Sequence, residues 1–134
     1  MRKIKYRQRH KTDPAKYHFW GVIDEKFVKP LLYEDFGYRD MPWVPPEESE
    51  QFTDKLDKAG TEIYDGDRVK AIDDIDGEVE EDKGTVMWNE SISAYSITLD
   101  ATLEIDKESY KEQRWLNYYD SKDLEIIPRR KNET

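Results

Sequence analysis

The side chains best equipped for chemistry in this sequence are carboxylates. Asp73-Asp-Ile-Asp-Gly-Glu-Val-Glu-Glu-Asp82 crowds seven of them around Gly77. Hard divalent cations such as calcium favour oxygen-rich segments of this kind. The spacing is wrong for an EF-hand loop, however. With Gly77 at the sixth position, Asp74 and Asp76 fall at the third and fifth, but Ile72 and Lys83 occupy the first and twelfth. The stretch is therefore expected to be a solvated acidic hairpin tip, open at most to weak divalent binding. His10 and His18 are the only histidines and neither has a partner at ligand spacing. The absence of Cys excludes thiolate zinc sites, disulfides and cysteine nucleophiles together. With 31 acids in the chain, pairs of carboxylates are unavoidable and identify no acid–base couple. The six glycines are scattered, with no phosphate-binding G-x-x-x-x-G-K and no nucleophile elbow. The expectation is a protein without catalytic residues, metal or cofactor.

A second group of residues is suited to binding. Residues 1–11 carry Arg2, Lys3, Lys5, Arg7, Arg9 and Lys11 and no acid, with Tyr6 interleaved among them. Cations matched to phosphate and a ring for base stacking are what a nucleic-acid surface requires. Two other readings stay open: a strand edge charged against aggregation, or a basic patch that meets the acidic segment of a neighbouring subunit. Met41-Pro-Trp-Val-Pro-Pro46 is extended and apolar. It reads either as a loop pinned to the core by Trp43 or as a polyproline-type ligand. The candidate contact residues are thus Arg2, Lys3, Lys5, Tyr6, Arg7, Arg9 and Trp43.

These side chains must be positioned by a modest fold. The 134 residues suffice for one domain, or one with a small appendage. Charged residues reach 40% and apolar ones only 36%, a balance that leans toward disorder. Aromatics at 13%, including four Trp and nine Tyr, supply the area for a thin core. Residues 12–128 hold 13 basic side chains against 30 acidic ones, a balance of −17 that repels nucleic acid on average. No apolar run is long enough to span a membrane, and no apolar stretch follows the basic start as in a secretory signal. A reducing, cytoplasmic setting is expected.

Periodicity supplies the elements. Residues 1–9 alternate, with Ile4 and Tyr6 on one side and Lys3, Lys5, Arg7 and Arg9 on the other, as in a half-buried strand. A turn at Lys11–Pro14 precedes a strand over Tyr17–Ile23, with Gly21 marking a bulge. Residues 24–60 are broken by Pro30, Pro42, Pro45 and Pro46. Within them, Glu47–Leu56 reads as a short helical turn, or Gln51–Thr53 as a short strand. Strands are then expected over Thr61–Tyr64, Arg68–Ile72, Gly84–Trp88 and Leu124–Ile127. Apolar residues hold odd positions from Tyr95 to Ile105, predicting one long strand with a buried face and a kink at Asp100. Residues 107–119 fit strand or helix. Asp120–Asp123 fits a turn or a 3₁₀ segment. The fold expected is mainly β: an N-terminal β and irregular Pro-rich subdomain over 1–59, then an SH3-like small barrel over 60–134 ending in a basic tail.

The segment Gln51-Phe-Thr-Asp-Lys-Leu-Asp-Lys-Ala-Gly-Thr-Glu-Ile-Tyr-Asp-Gly-Asp-Arg-Val69 resembles the signature of the YopX family of phage and prophage proteins. Gln51, Thr53, Asp57, Lys58, Gly60, Glu62, Ile63, Tyr64, Gly66, Asp67 and Val69 carry the match. Met1-Arg-Lys-Ile-Lys-Tyr-Arg7, Gly84-Thr-Val-Met-Trp88 and Asp120-Ser-Lys-Asp-Leu-Glu-Ile-Ile127 are similar to other parts of that family, in the same order. Asp54 and Ala59 depart from it, as does the tail Pro128-Arg-Arg-Lys-Asn132. The resemblance implies a prophage-encoded cytoplasmic protein with an SH3-like C-terminal barrel, and no reaction or cofactor. Its partners are expected to be further copies of itself or a phage or host protein, with nucleic acid as the alternative.

Overall fold

A computed structural model describes residues 4–37 and 40–128. Arg2 and Lys3 lie outside the described residues, as do Arg129, Arg130 and Lys131. The architecture is mainly β, in two antiparallel sheets. The chain divides into two compact units, with the boundary between Asp54 and Lys55 and the second unit spanning Lys55–Ile127. The boundary precedes the expected one at Gly60 because the turn after Asp54 is tied to the last strand. Lys58 N–H donates to the Leu124 carbonyl at 2.8 Å, and Ile126 N–H donates to Asp57 Oδ2 at 3.2 Å.

In the first unit, β1 (Lys5–Arg9), β2 (Tyr17–Ile23), β3 (Lys26–Val28) and β4 (Glu50–Leu56) lie in the order β3-β2-β1-β4. The β1–β2 register is unbroken from Arg9↔Tyr17 to Lys5↔Gly21, where Gly21 takes φ +107° and a Cβ would lie 2.6 Å from the Ile4 carbonyl oxygen. Pairing follows period two: Tyr6 stacks on Trp20 at 4.4 Å on one face, while Lys5, Arg7 and Arg9 share the other with Tyr17 and Phe19. Burial does not follow the expected sides. Ile4 is exposed, and Arg7 is only 6% exposed because Glu50 of β4 and the Tyr17 ring cover it. The Pro-rich segment is a strap rather than a presented ligand. Met41 and Val44 are buried, and Val44 N–H donates to the Arg9 carbonyl at 2.9 Å. Gln8, fully buried, fastens the strap: its amide donates to the carbonyls of Leu31 (2.8 Å) and Val44 (2.9 Å) and accepts from Leu31 N–H (2.7 Å). Both readings of 47–56 hold in part, as a 3₁₀ turn over Pro46–Glu48 followed by β4.

The second unit contains β5 (Glu62–Tyr64), β6 (Arg68–Ile75), β7 (Glu78–Asn89), β8 (Ala94–Ile105), β9 (Glu108–Trp115) and β10 (Leu124–Ile127). Its five-stranded sheet has the order β10-β6-β7-β8-β9, with β10 and β9 as open edges, so it does not close into a barrel. The core gathers Val69, Val86, Ile97, Leu116 and Leu124 with Ile63 and Tyr119. Burying each such aliphatic chain contributes about 1.5–3 kcal/mol. Gly84 is required where β7 meets β8, since a Cβ there would lie 2.5 Å from the Thr98 carbonyl oxygen. The residues of the family-like segment build turns. Asp57 Oδ1 accepts from Ala59 and Thr61 N–H at 2.9 Å, and Asp67 Oδ2 accepts from Tyr64 N–H at 2.8 Å.

Two hairpins extend beyond this core. The acidic stretch 73–82 is the expected hairpin tip, with its arms paired as strand up to the turn: β6 runs into β7 through Asp76-Gly77, both with positive φ, as a two-residue hairpin turn requires. The odd-numbered face of β8 is buried through Leu99, then continues outward with Leu103 and Ile105 exposed. The changeover is the expected kink at Asp100, where the β8–β9 register slips between Thr98 and Thr102. Arg68 clamps it, with Nη1 and Nη2 each 2.5 Å from an Asp100 carboxylate oxygen. Asp100 titrates below the usual carboxylate range because of that bond. The ambiguous segment 107–119 resolves into β9 and a 3₁₀ turn over Leu116–Tyr118.

Candidate interaction surface

The second unit carries a cleft of about 300 Å³ lined by Asp73, Ile75, Arg114, Trp115 and Tyr118. β6 supplies Asp73 and Ile75, and β9 supplies Arg114 and Trp115. The 3₁₀ turn then places Tyr118 beside them and sends Tyr119 into the core. Strand alternation explains the division. Arg114 pairs with Ile97 on the core side of the sheet, while its neighbour Trp115 is 60% exposed.

The floor is a polar cluster centred on Arg114. Its Nη1 donates to buried Asp73, to Asp82 at 3.3 Å and to the Tyr119 hydroxyl at 3.1 Å, and its Nε donates to Glu112 at 3.2 Å. The Tyr119 hydroxyl donates in turn to Asp73 at 3.0 Å. Burial pushes the Tyr119 phenol up to about 12, with the Asp73 bond adding to the effect and Arg114 opposing it. The Arg114 guanidinium is held more firmly protonated than usual by Tyr119 and Glu112. Phenol, guanidinium and ion-paired carboxylate thus form one hydrogen-bonded floor to the cleft. The walls are different. Tyr118 is 69% exposed and Ile75 is likewise open to solvent. Val79, Leu103, Ile105 and Tyr110 add exposed apolar groups along the two hairpins.

The expected contact residues are distributed unevenly. Tyr6 is engaged with Trp20, and Arg7 donates from Nε to Glu50 at 2.9 Å while lying 4.1 Å from the Tyr17 ring centroid. Arg7 is thereby withdrawn from any external contact. Lys5 lies 5.7 Å from the ring centroid of partly exposed Phe19, so cation and ring do meet on this face, with rings from β2 rather than Tyr6. Arg9 is half-buried on the same face. Trp43 is half-buried against His10 at 4.9 Å and His18 at 6.4 Å. Both histidines are occupied structurally. His10 Nδ1 accepts from Asp13 N–H at 3.0 Å, and His18 Nε2 bonds the Lys29 carbonyl at 3.0 Å. Among the described residues no group of three or more His, Asp or Glu side chains is arranged to hold a metal ion.

Trp115 and Tyr118 are absent from the contact residues expected from sequence. The signal available was the pairing Arg114-Trp115 followed by Tyr118-Tyr119 after a polar strand, a concentration of the residue types that dominate binding hot spots. Comparison with protein-family models gives no match, and comparison with curated proteins gives none either. Among the described residues no helix is long and apolar enough to cross a membrane.

Proposed function

We propose that this chain is a non-enzymatic accessory protein, prophage-encoded and cytoplasmic, that acts by assembling with itself or with a phage or host protein. The observation that carries the reading is the cleft of the second unit. Trp115 and Tyr118 stand out in solvent beside the hydrogen-bonded Arg114 cluster. Rigid aromatic anchors around a preorganised arginine bind macromolecular partners, and their exposure stabilises no fold. The open β9 edge and the apolar hairpin faces extend the same surface. The resemblance of segment 51–69 to the YopX signature supports the prophage setting, and with it an SH3-like arrangement of the second unit. Sedimentation velocity over a range of protein concentration tests the reading. Species larger than the 16.1 kDa monomer, or a complex recovered with a purified phage or host protein, are expected. A strictly monomeric protein with no partner would sink it.

One observation favours a second reading, an accessory protein that binds single-stranded nucleic acid. Lys5 and Arg9 share a face with Phe19 and Tyr17, which joins charge to stacking surface. Fluorescence anisotropy of labelled DNA and RNA should then show binding that falls steeply with salt. Lack of binding at low salt would remove it.

A further inference from the structure

Resting on the self-assembly reading above, we infer that the cleft of Ile75, Trp115 and Tyr118 is the acceptor for the basic N-terminal segment of a second copy of this chain, with Ile4 as the inserted side chain. The cleft's size, about 300 Å³, suits one or two side chains rather than a folded surface. Its walls are apolar and aromatic, so the group they accept is apolar. Its electrostatics select what flanks that group. Arg114 is outnumbered by Asp73, Asp82 and Glu112, and residues 55–127 as a whole hold 20 acids against 9 bases. The occupant is therefore an apolar side chain among cations. This sequence contains such a segment. Residues 1–11 hold six cations and no acid, and Ile4 among them is 53% exposed, immediately before β1 begins. Arg114 Nη2 hydrogen-bonds to none of the described residues and supplies a donor for a main-chain carbonyl of the incoming segment. Donor segment and acceptor cleft are different surfaces, so the contact is heterologous and propagates head to tail into a ring or a filament.

The chain has no cysteine, which permits a direct test. Lys3→Cys, next to Ile4 in the sequence, and Asn117→Cys, at an exposed position next to Tyr118, are made as separate full-length variants, one carrying a size tag, then mixed and oxidised at low salt. The inference expects the mixed disulfide dimer in several-fold excess over either like dimer, lost at high salt and lost when Trp115→Ala is added to the Asn117→Cys partner. Mixed dimers no commoner than like ones, while the unmodified protein still assembles in sedimentation, would overturn this inference and leave the self-assembly reading standing. An unmodified protein that stays monomeric overturns both. A disulfide that forms only within a single chain carrying both substitutions also overturns the inference, since the segment would then dock on its own copy.

Discussion

The two units use the same residue types in opposite ways. In the first, Trp20 stacks on Tyr6 and donates to Ser49 at 2.8 Å, and Arg7 is covered by Tyr17 and Glu50. In the second, Arg114 is fixed as firmly by Asp73, Asp82 and Glu112, yet Trp115 beside it is left in solvent. A cation–aromatic cluster therefore does not announce a binding site by composition. What matters is whether the chain itself provides the cover. The first unit has its Pro-rich strap and β4 to do so, whereas the hairpins of the second run beyond their core.

Mutations that remove the cover sharpen this contrast most. Gln8→Ala leaves the Leu31 N–H and carbonyl and the Val44 carbonyl without their partner and frees the strap. A loss of about 3 kcal/mol in urea unfolding is expected, and a loss under about 0.5 kcal/mol would mean that the strap is not what holds the first unit closed. Gly84→Ala forces a methyl group against the Thr98 carbonyl and should cost about 2 kcal/mol, with the unfolding midpoint lowered and the urea slope unchanged. The paired test compares tryptophans. Trp20→Ala should cost about 1.5 kcal/mol through the lost stack and hydrogen bond, whereas Trp115→Ala should stay within about 0.5 kcal/mol. Equal losses would erase the distinction between inward and outward aromatics. The smallest effect is one of pH. The Tyr119 phenol is raised in the folded state to about 12, so its contribution is complete below about 10, where an unfolded tyrosine titrates. It disappears as pH rises from there toward 12. The difference in thermal midpoint between the unmodified protein and Tyr119→Phe should narrow across that window, and a constant difference would contradict the placement of Tyr119.

Much of the strand layout was legible because it depends on local pattern. Tyr17–Ile23 and Leu124–Ile127 emerge with the ends that their turn residues suggest, and the Asp100 kink coincides with the slip in register. The side chains' surroundings were less legible. Alternation places Arg7 on the face opposite Tyr6 but does not reveal that Glu50, 43 residues away, will cover it. The odd-numbered apolar positions of β8 look alike from Tyr95 to Ile105, although the covering core ends at Leu99. Trp115 and Tyr118 were hidden by a segment whose period fitted two structures. Trp115 is exposed by its place in the alternation of β9, and Tyr118 by a one-turn 3₁₀ segment too short to leave a repeat.

Amide hydrogen exchange of the unmodified protein, measured well below and well above its assembly concentration, tests the central claim most directly: the second unit's uncovered surface is an interface and the first unit's covered one is not. The prediction is that amides of Glu108–Trp115 and of the Leu116–Tyr118 turn gain protection on assembly, while those of Tyr17–Trp20, which pair with Tyr6–Arg9 away from Ile4, do not change. Exchange in Glu108–Trp115 that is identical at both concentrations, or protection gained in Tyr17–Trp20 instead, would contradict it.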